Sequence, residues 1–85
     1  MFVAKLNDES KRVLGLILRR GVASGADLLA ATAMSPAALV EALDPLLKSE
    51  MVGSSGNAYD PSGIRDAFFN VRPAARDLAE GYLNL

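Results

Sequence analysis

The chain has 85 residues, with nine Lys and Arg, ten Asp and Glu, no His and no Cys, for a formal net charge of −1. This length predicts one domain, residues 1–85, with a modest core that no disulfide stabilises. Without His or Cys, the sequence lacks the usual residues for a Ser-His-Asp triad, a cysteine nucleophile, a zinc site or a haem ligand. Because no carboxylate, Lys, Ser or Tyr chemistry is assembled either, we expect no enzyme, no metal and no cofactor.

The apolar stretches of the sequence are short. The longest, residues 13–18, is far below the length of a membrane span, and Lys5 and Asn7-Asp8-Glu9 interrupt the first residues, so no signal peptide is predicted. We therefore expect a cytoplasmic protein without a membrane partner. The near-zero net charge gives no global attraction to nucleic acid, so any such binding depends on a local patch.

The first segment, residues 7–20, predicts a helix. Its apolar residues recur at helical spacing, namely Val13, Leu14, Ile17 and Leu18. Acidic residues open the segment and basic residues close it, as the helix dipole favours, and Gly21 ends it. Val22-Ala23 is predicted only as a short extended link.

Two further helices follow. Ser24-Gly25-Ala26-Asp27 has the pattern of a capping box, which predicts a short second helix to about Thr32. Ser35 predicts the N-cap and Pro36 the first position of a third helix. The buried face of that helix is predicted to be Leu39, Leu43, Leu46 and Leu47. We expect Pro45 to interrupt it, because proline has no N–H to bond the Glu41 carbonyl.

The remaining residues predict a hairpin with a long tip and a closing helix. Residues 53–57 and 60–63 are turn-rich and cannot be helical, whereas residues 67–71 favour a strand. Pro73 is predicted to open the last helix, with Leu78, Tyr82 and Leu85 facing inward. The fold class is therefore mainly α with a small β-hairpin, α+β.

This order of elements, with the spacing from Ser24 to Val52, resembles the bacterial winged-helix family, a branch of the helix-turn-helix proteins used by small transcription regulators. The residues that carry the resemblance are Ala33, Met34, Ser35, Leu39, Leu43, Leu46 and Met51-Val52, then Phe69–Pro73 with Arg76 and Leu78. The resemblance implies three helices, a wing hairpin and a closing C-terminal helix. The sequence departs from the family at Ala33 and Glu50, where Gly is usual, and at Arg72, where Thr or Ser usually caps the last helix.

In the winged-helix family the third helix enters the major groove of DNA. The resemblance therefore implies that Ser35, Pro36, Ala37, Ala38, Val40 and Glu41 face the DNA. Ser35 is the one donor among them and is used as the N-cap, while Glu41 stands where the family often has Arg. This face then has no ordinary means of reading bases. Its Pro36, Ala37, Ala38 and Val40, bordered by Glu41, predict an apolar interface for a protein partner, or simply good helix formers on an exposed surface.

Basic residues concentrate away from the third helix. Arg19 and Arg20 end the first helix, and Arg65 and Arg72 flank the wing. They are candidates for phosphate contacts, or solvated charges interleaved with acidic residues.

Two functions are compatible with this pattern. The neutral to acidic third helix favours a non-enzymatic module for protein–protein interaction or assembly. The alternative is a DNA-binding transcription regulator that holds phosphates through Arg19, Arg20, Arg65 and Arg72. Self-association fits both, and the terminal apolar residues predicted to mediate it are Phe2, Tyr82, Leu83 and Leu85.

Overall fold

The computed structural model describes residues 7–83 of the chain. The elements, in chain order, are α1 (Asp8–Arg20), β1 (Val22–Ser24), α2 (Gly25–Thr32), α3 (Pro36–Lys48), β2 (Val52–Ser55), a 3-10 helix (Ile64–Asp66), β3 (Phe68–Val71), a second 3-10 helix (Pro73–Ala75) and α4 (Arg76–Leu83). The strands form one antiparallel sheet in the order β1-β3-β2. The α+β winged helix-turn-helix architecture predicted from the sequence is confirmed.

The predicted bounds of the first two helices are confirmed. The Asn7 side chain accepts a hydrogen bond from the Ser10 N–H at 2.8 Å and caps α1. Helix α1 ends at Gly21, whose φ of 80° is readily adopted by glycine. At α2, the Asp27 N–H donates to Ser24 Oγ at 3.1 Å and the Ser24 N–H donates to Asp27 Oδ2 at 3.2 Å. These two bonds complete the predicted capping box.

Helix α3 is continuous across Pro45, which the sequence predicted to interrupt it. Proline removes only the bond to the Glu41 carbonyl. The turn that follows is held by burial of Leu46 and Leu47 in the core, so the helix continues to Lys48. The predicted leucine face of α3 is confirmed, since Leu39 and Leu43 are also fully buried.

The sheet contains one strand more than the predicted hairpin. Residues Val22–Ser24, expected only as an extended link, pair with Phe68–Asn70. Strand β2 pairs with the other side of β3, with Val52 opposite Val71. The β1 strand has three residues, and its partner lies far along the chain, so local sequence carries little signal for it.

The residues between β2 and β3, which we call the wing loop (residues 56–67), fold back onto the helices instead of extending outward. Ala58, Ile64 and Ala67 of this loop are buried. The Gly25 N–H donates to the Ala67 carbonyl at 2.9 Å, which joins the wing loop to the start of α2. The wing loop is therefore part of the same core as the helices.

The prediction that Leu78 faces inward is wrong. Its side chain is 40% exposed, whereas Ala79 is fully buried and Ala75 packs against the core. Pro73 opens a 3-10 turn before α4, and such a turn winds three residues instead of 3.6, which changes the phase of the helix. The predictions for Tyr82 and Leu85 fall where the structure describes no side chain.

Within residues 7–83, no single helix has the length and apolar composition needed to cross a membrane. Only α2 and α3 taken together have that length and apolar composition, and the chain bends by 111° between them.

Candidate functional site

Helices α2 and α3 form a helix-turn-helix. Three residues, Ala33–Ser35, separate them, and the chain bends by 111° between the two helices. Both values lie in the range of helix-turn-helix units. Ala33 adopts the left-handed conformation, with φ of 58°, at the position where the family usually has glycine. The turn thus keeps its geometry without glycine, at a cost of order 1 kcal/mol for the strained alanine.

The first turn of α3 faces solvent, as the sequence predicted. Ser35 and Ala37 are exposed, and Pro36 and Ala38 are half-buried. Ser35 Oγ accepts a hydrogen bond from the Ala38 N–H at 3.2 Å. Ser35 Oγ thus caps the helix start, and the side chains of Pro36, Ala37 and Ala38 that follow it contain only carbon.

Val40 is not part of that outward surface. The sequence placed it in the exposed patch, but its side chain is half-buried and packs against the core. A charged residue at position 40 would therefore destabilise the fold itself. The exposed patch on α3 reduces to Pro36, Ala37 and Ala38, followed by exposed Glu41.

The two carboxylates of α3 are in different electrostatic situations. Asp44 pairs with Lys48 at 3.0 Å, one turn further along the helix. Among residues 7–83, Glu41 forms no ion pair. Glu41 is thus the uncompensated charge next to the first turn of α3.

The four predicted phosphate-contact arginines are all at the surface, on α1, in the 3-10 helix Ile64–Asp66 and directly after β3. Arg19 is exposed at the end of α1. Arg72 is exposed directly after β3, and its backbone N–H donates a hydrogen bond to the Met51 carbonyl oxygen at 2.9 Å. Arg65 lies in the 3-10 helix Ile64–Asp66, which packs against both α2 and α3. Arg65 is therefore carried by an element that packs against both helices of the helix-turn-helix.

Arg20, the fourth of these arginines, pairs with Asp27 in the first turn of α2, at 3.6 Å between Nη2 and Oδ2. The Ser24 backbone N–H, the Ser24 hydroxyl and Arg20 together hold the pKa of Asp27 below its ordinary value of 3.8. The Arg20 charge is thus already shared with a carboxylate of the protein.

The lowered pKa of Asp27 predicts an acid-labile start of α2. Since the folded-state pKa lies below that of the unfolded chain, the carboxylate stabilises the fold above the ordinary pKa, and this contribution is lost as pH falls through the folded pKa. We expect Asp27→Asn to melt at a lower temperature than the wild type at about pH 7, with the difference shrinking below about pH 4. Thermal melts across this range measure it, and a constant difference would contradict the role of the carboxylate.

Sequence reasoning missed the part played by Gly25. A Cβ atom built there would overlap the Ile64 carbonyl oxygen and lie 3.2 Å from Arg65 Cα. This close approach sets the position of Arg65 relative to the helix-turn-helix. The only local sign of this role in the sequence was the glycine inside the capping box, because a helix start does not itself require glycine at that position.

Other features offer little for catalysis. A cavity of about 150 Å³ lies between α1, β3 and α4, lined by Leu18, Gly21, Val71, Pro73 and Arg76. Within the described part of the chain, no group of three or more Asp and Glu is placed to hold a metal ion.

The dimer contacts predicted from the sequence are not tested by the structure. Phe2 and Leu85 lie outside the described residues, and the side chains of Tyr82 and Leu83 are not described.

No family model matches the sequence, and no curated protein matches it either. Several solved structures, however, match this chain in fold. The adhesin competence repressor AdcR from Streptococcus pyogenes is 23% identical, with a TM-score of 0.72 over 95% of this chain and 56% of that chain. A mutant of Lactococcus lactis ZitR is 21% identical, with a TM-score of 0.71 over 99% of this chain and 55% of that chain.

A third solved structure is that of Bordetella bronchiseptica BpsR, from work on how 6-hydroxynicotinic acid regulates its DNA binding. It is 25% identical to this chain, with a TM-score of 0.73 over 95% of this chain and 56% of that chain. The chain spans little more than half the length of each of these three proteins. Their likeness confirms the winged-helix fold of this chain.

The preference for a protein-interaction module is wrong. The solved structures that share this fold include a competence repressor and a protein whose DNA binding is regulated. The inference gave too much weight to the missing arginine on α3. Lack of an arginine on α3 removes one way of contacting DNA, whereas the helix-turn-helix geometry that presents α3 is intact.

Proposed function

We propose that this chain, as a single winged-helix domain over residues 1–85, is the DNA-binding part of a transcription regulator and acts without catalysis in the cytoplasm. The observation that carries the proposal is the α2–turn–α3 unit, with its 111° bend and the exposed first turn of α3. This arrangement allows α3 to enter a major groove while α2 crosses the phosphate backbone. The DNA binding of BpsR, which shares the fold, supports the same assignment.

Phosphate contacts in this proposal come chiefly from Arg65. The 3-10 helix that carries it packs against both α2 and α3, and Arg65 itself is exposed. Arg19 lies near the end of α1 and Arg72 directly follows β3, and both would add phosphate contacts from outside the helix-turn-helix. Arg20 would have to exchange its bond with Asp27 for a phosphate, which reduces its net contribution.

The charge balance sets the expected strength of binding. With a net charge of −1 and Glu41 uncompensated, few phosphates are neutralised, so affinity is modest and depends on salt through a small number of contacts. The regulators that share the fold are nearly twice as long, and a second DNA-binding unit supplied by dimerisation would add to the affinity of a single domain.

Binding to duplex DNA is measured by fluorescence anisotropy on a pool of duplexes of about 20 base pairs between about 50 and 200 mM salt. We expect saturable binding that weakens as salt rises. Arg65→Ala should lower the affinity roughly tenfold. It should also reduce the slope of log affinity against log salt by about 1, because one phosphate contact is lost.

Arg76→Ala is the matched control for Arg65→Ala. Arg76 is an exposed arginine on α4 that pairs with Glu80 at 3.6 Å, so its removal should leave both affinity and salt slope unchanged. If the wild type binds no duplex at any salt concentration in this range, the proposed function is refuted. Equal losses in both variants would show that Arg65 acts only through net charge.

A further inference from the structure

We infer that α3 selects pyrimidine edges in the major groove, a cytosine next to a thymine, through the methyl groups of Ala37 and Ala38 and the carboxylate of Glu41. This inference rests on the proposed function and specifies which DNA it recognises. Ala37 and Ala38 precede Glu41 by four and three residues, so the three side chains share one outward face of the helix. N-terminal residues of a recognition helix are those that contact base edges.

The side chains of Pro36, Ala37 and Ala38 in the first turn of α3 offer no hydrogen-bond donor for guanine. In the major groove guanine presents two acceptors, N7 and O6, which proteins usually contact with Arg or Lys. Ser35 Oγ is held against the Ala38 N–H at 3.2 Å, and the side chains of Pro36, Ala37 and Ala38 contain only carbon. A guanine that faces these three side chains would lose its water without gaining a hydrogen-bond partner from them.

Thymine suits the same surface, because its 5-methyl group projects into the major groove. Alanine methyl groups are among the side chains that contact it. Ala37 is exposed and Ala38 half-buried, so both can approach a base edge closely without a long side chain in between. Burial of one methyl group corresponds to about fourfold in affinity.

Glu41 supplies the hydrogen-bonding component. A carboxylate only accepts hydrogen bonds, and the N4 amino group of cytosine is the donor that acidic side chains contact in the major groove. Adenine also has an amino donor, but its N7 acceptor lies beside it and would face the second carboxylate oxygen. Asp44 does not compete for this role, because Lys48 pairs with it at 3.0 Å.

The test uses the 85-residue chain and begins with selection from a pool of randomised duplexes. In the selected site, each thymine is replaced by uracil in turn, which removes only the 5-methyl group. We expect one or two positions where the replacement lowers affinity about fourfold. At the neighbouring cytosine, Glu41→Gln should change the preferred base to adenine, because glutamine bonds adenine N6 and N7 together.

Asp44→Asn is the matched control, since it removes the same charge one turn further along the same face and should leave the base preference at every position unchanged. A selected site with guanine at the contacted position, or one insensitive to both uracil and Glu41→Gln, would overturn the inference while leaving duplex binding intact. Failure to select any duplex would overturn the proposed function together with this inference. The two failures are therefore distinguishable.

Discussion

Gly25→Ala is expected to remove about 3 kcal/mol or more from the free energy of unfolding. A Cβ atom at this position would overlap the Ile64 carbonyl oxygen and approach the Ile64 carbonyl carbon to 2.6 Å. Both are backbone atoms, so no side-chain rotation can relieve the overlap. Relief requires the wing loop to move away from α2, which would break the bond from the Gly25 N–H to Ala67 O and expose Ile64.

Chemical denaturation of Gly25→Ala and Gly81→Ala measures this effect against a matched change. Among the described residues, a Cβ atom at Gly81 would meet nothing within 4 Å, and the residue lies in α4, so alanine there should stabilise the protein by about 0.5–1 kcal/mol. A loss under about 1 kcal/mol for Gly25→Ala would show that the wing loop is not packed against α2 as described.

The elements that could be predicted from the sequence are those encoded by neighbouring residues. The capping box at Ser24 and the proline at position 36 mark helix starts through bonds and angles within one turn. The leucine spacing of α3 gives the correct buried face because a regular helix fixes the phase from one residue to the next. Local chemistry was sufficient for these features.

The features that could not be predicted depend on residues far apart in the chain. Strand β1 exists because Val22–Ser24 pairs with β3, and the wing loop folds inward because Gly25 leaves room for Ile64. The phase of α4 is set by the 3-10 turn at Pro73–Ala75, which a search for regular helical spacing does not detect. Each of these is a tertiary effect that overrides local propensity.

For the candidate site, the sequence located the exposed turn of α3 but led to the wrong function for it. Four of the five residues assigned to that face are exposed or half-buried outside the core, and Val40 packs inward. The chemistry of the remaining residues excludes the common arginine–guanine contact without excluding DNA. What a helix can read depends on the groups it presents, and methyl and carboxylate groups also have partners among the bases.

The phase of α3 underlies every statement about its outward face, and Leu43→Ala tests it. Leu43 is fully buried on the opposite side of the helix, together with Leu39. Truncation to alanine leaves a cavity in the centre of the core, and we expect a loss of about 2–5 kcal/mol in the free energy of unfolding. This is a large part of the stability of so small a domain.

Leu78→Ala provides the comparison, because the same atoms are deleted from a leucine that is 40% exposed on α4. We expect it to cost less than about 1 kcal/mol, since little cavity forms at a surface position. Urea denaturation of the two variants with the wild type gives both values. Similar losses would mean that α4 buries Leu78. A negligible loss for Leu43→Ala would mean that α3 is oriented differently about its axis, so that Ala37 and Glu41 would not lie on the face proposed to contact DNA.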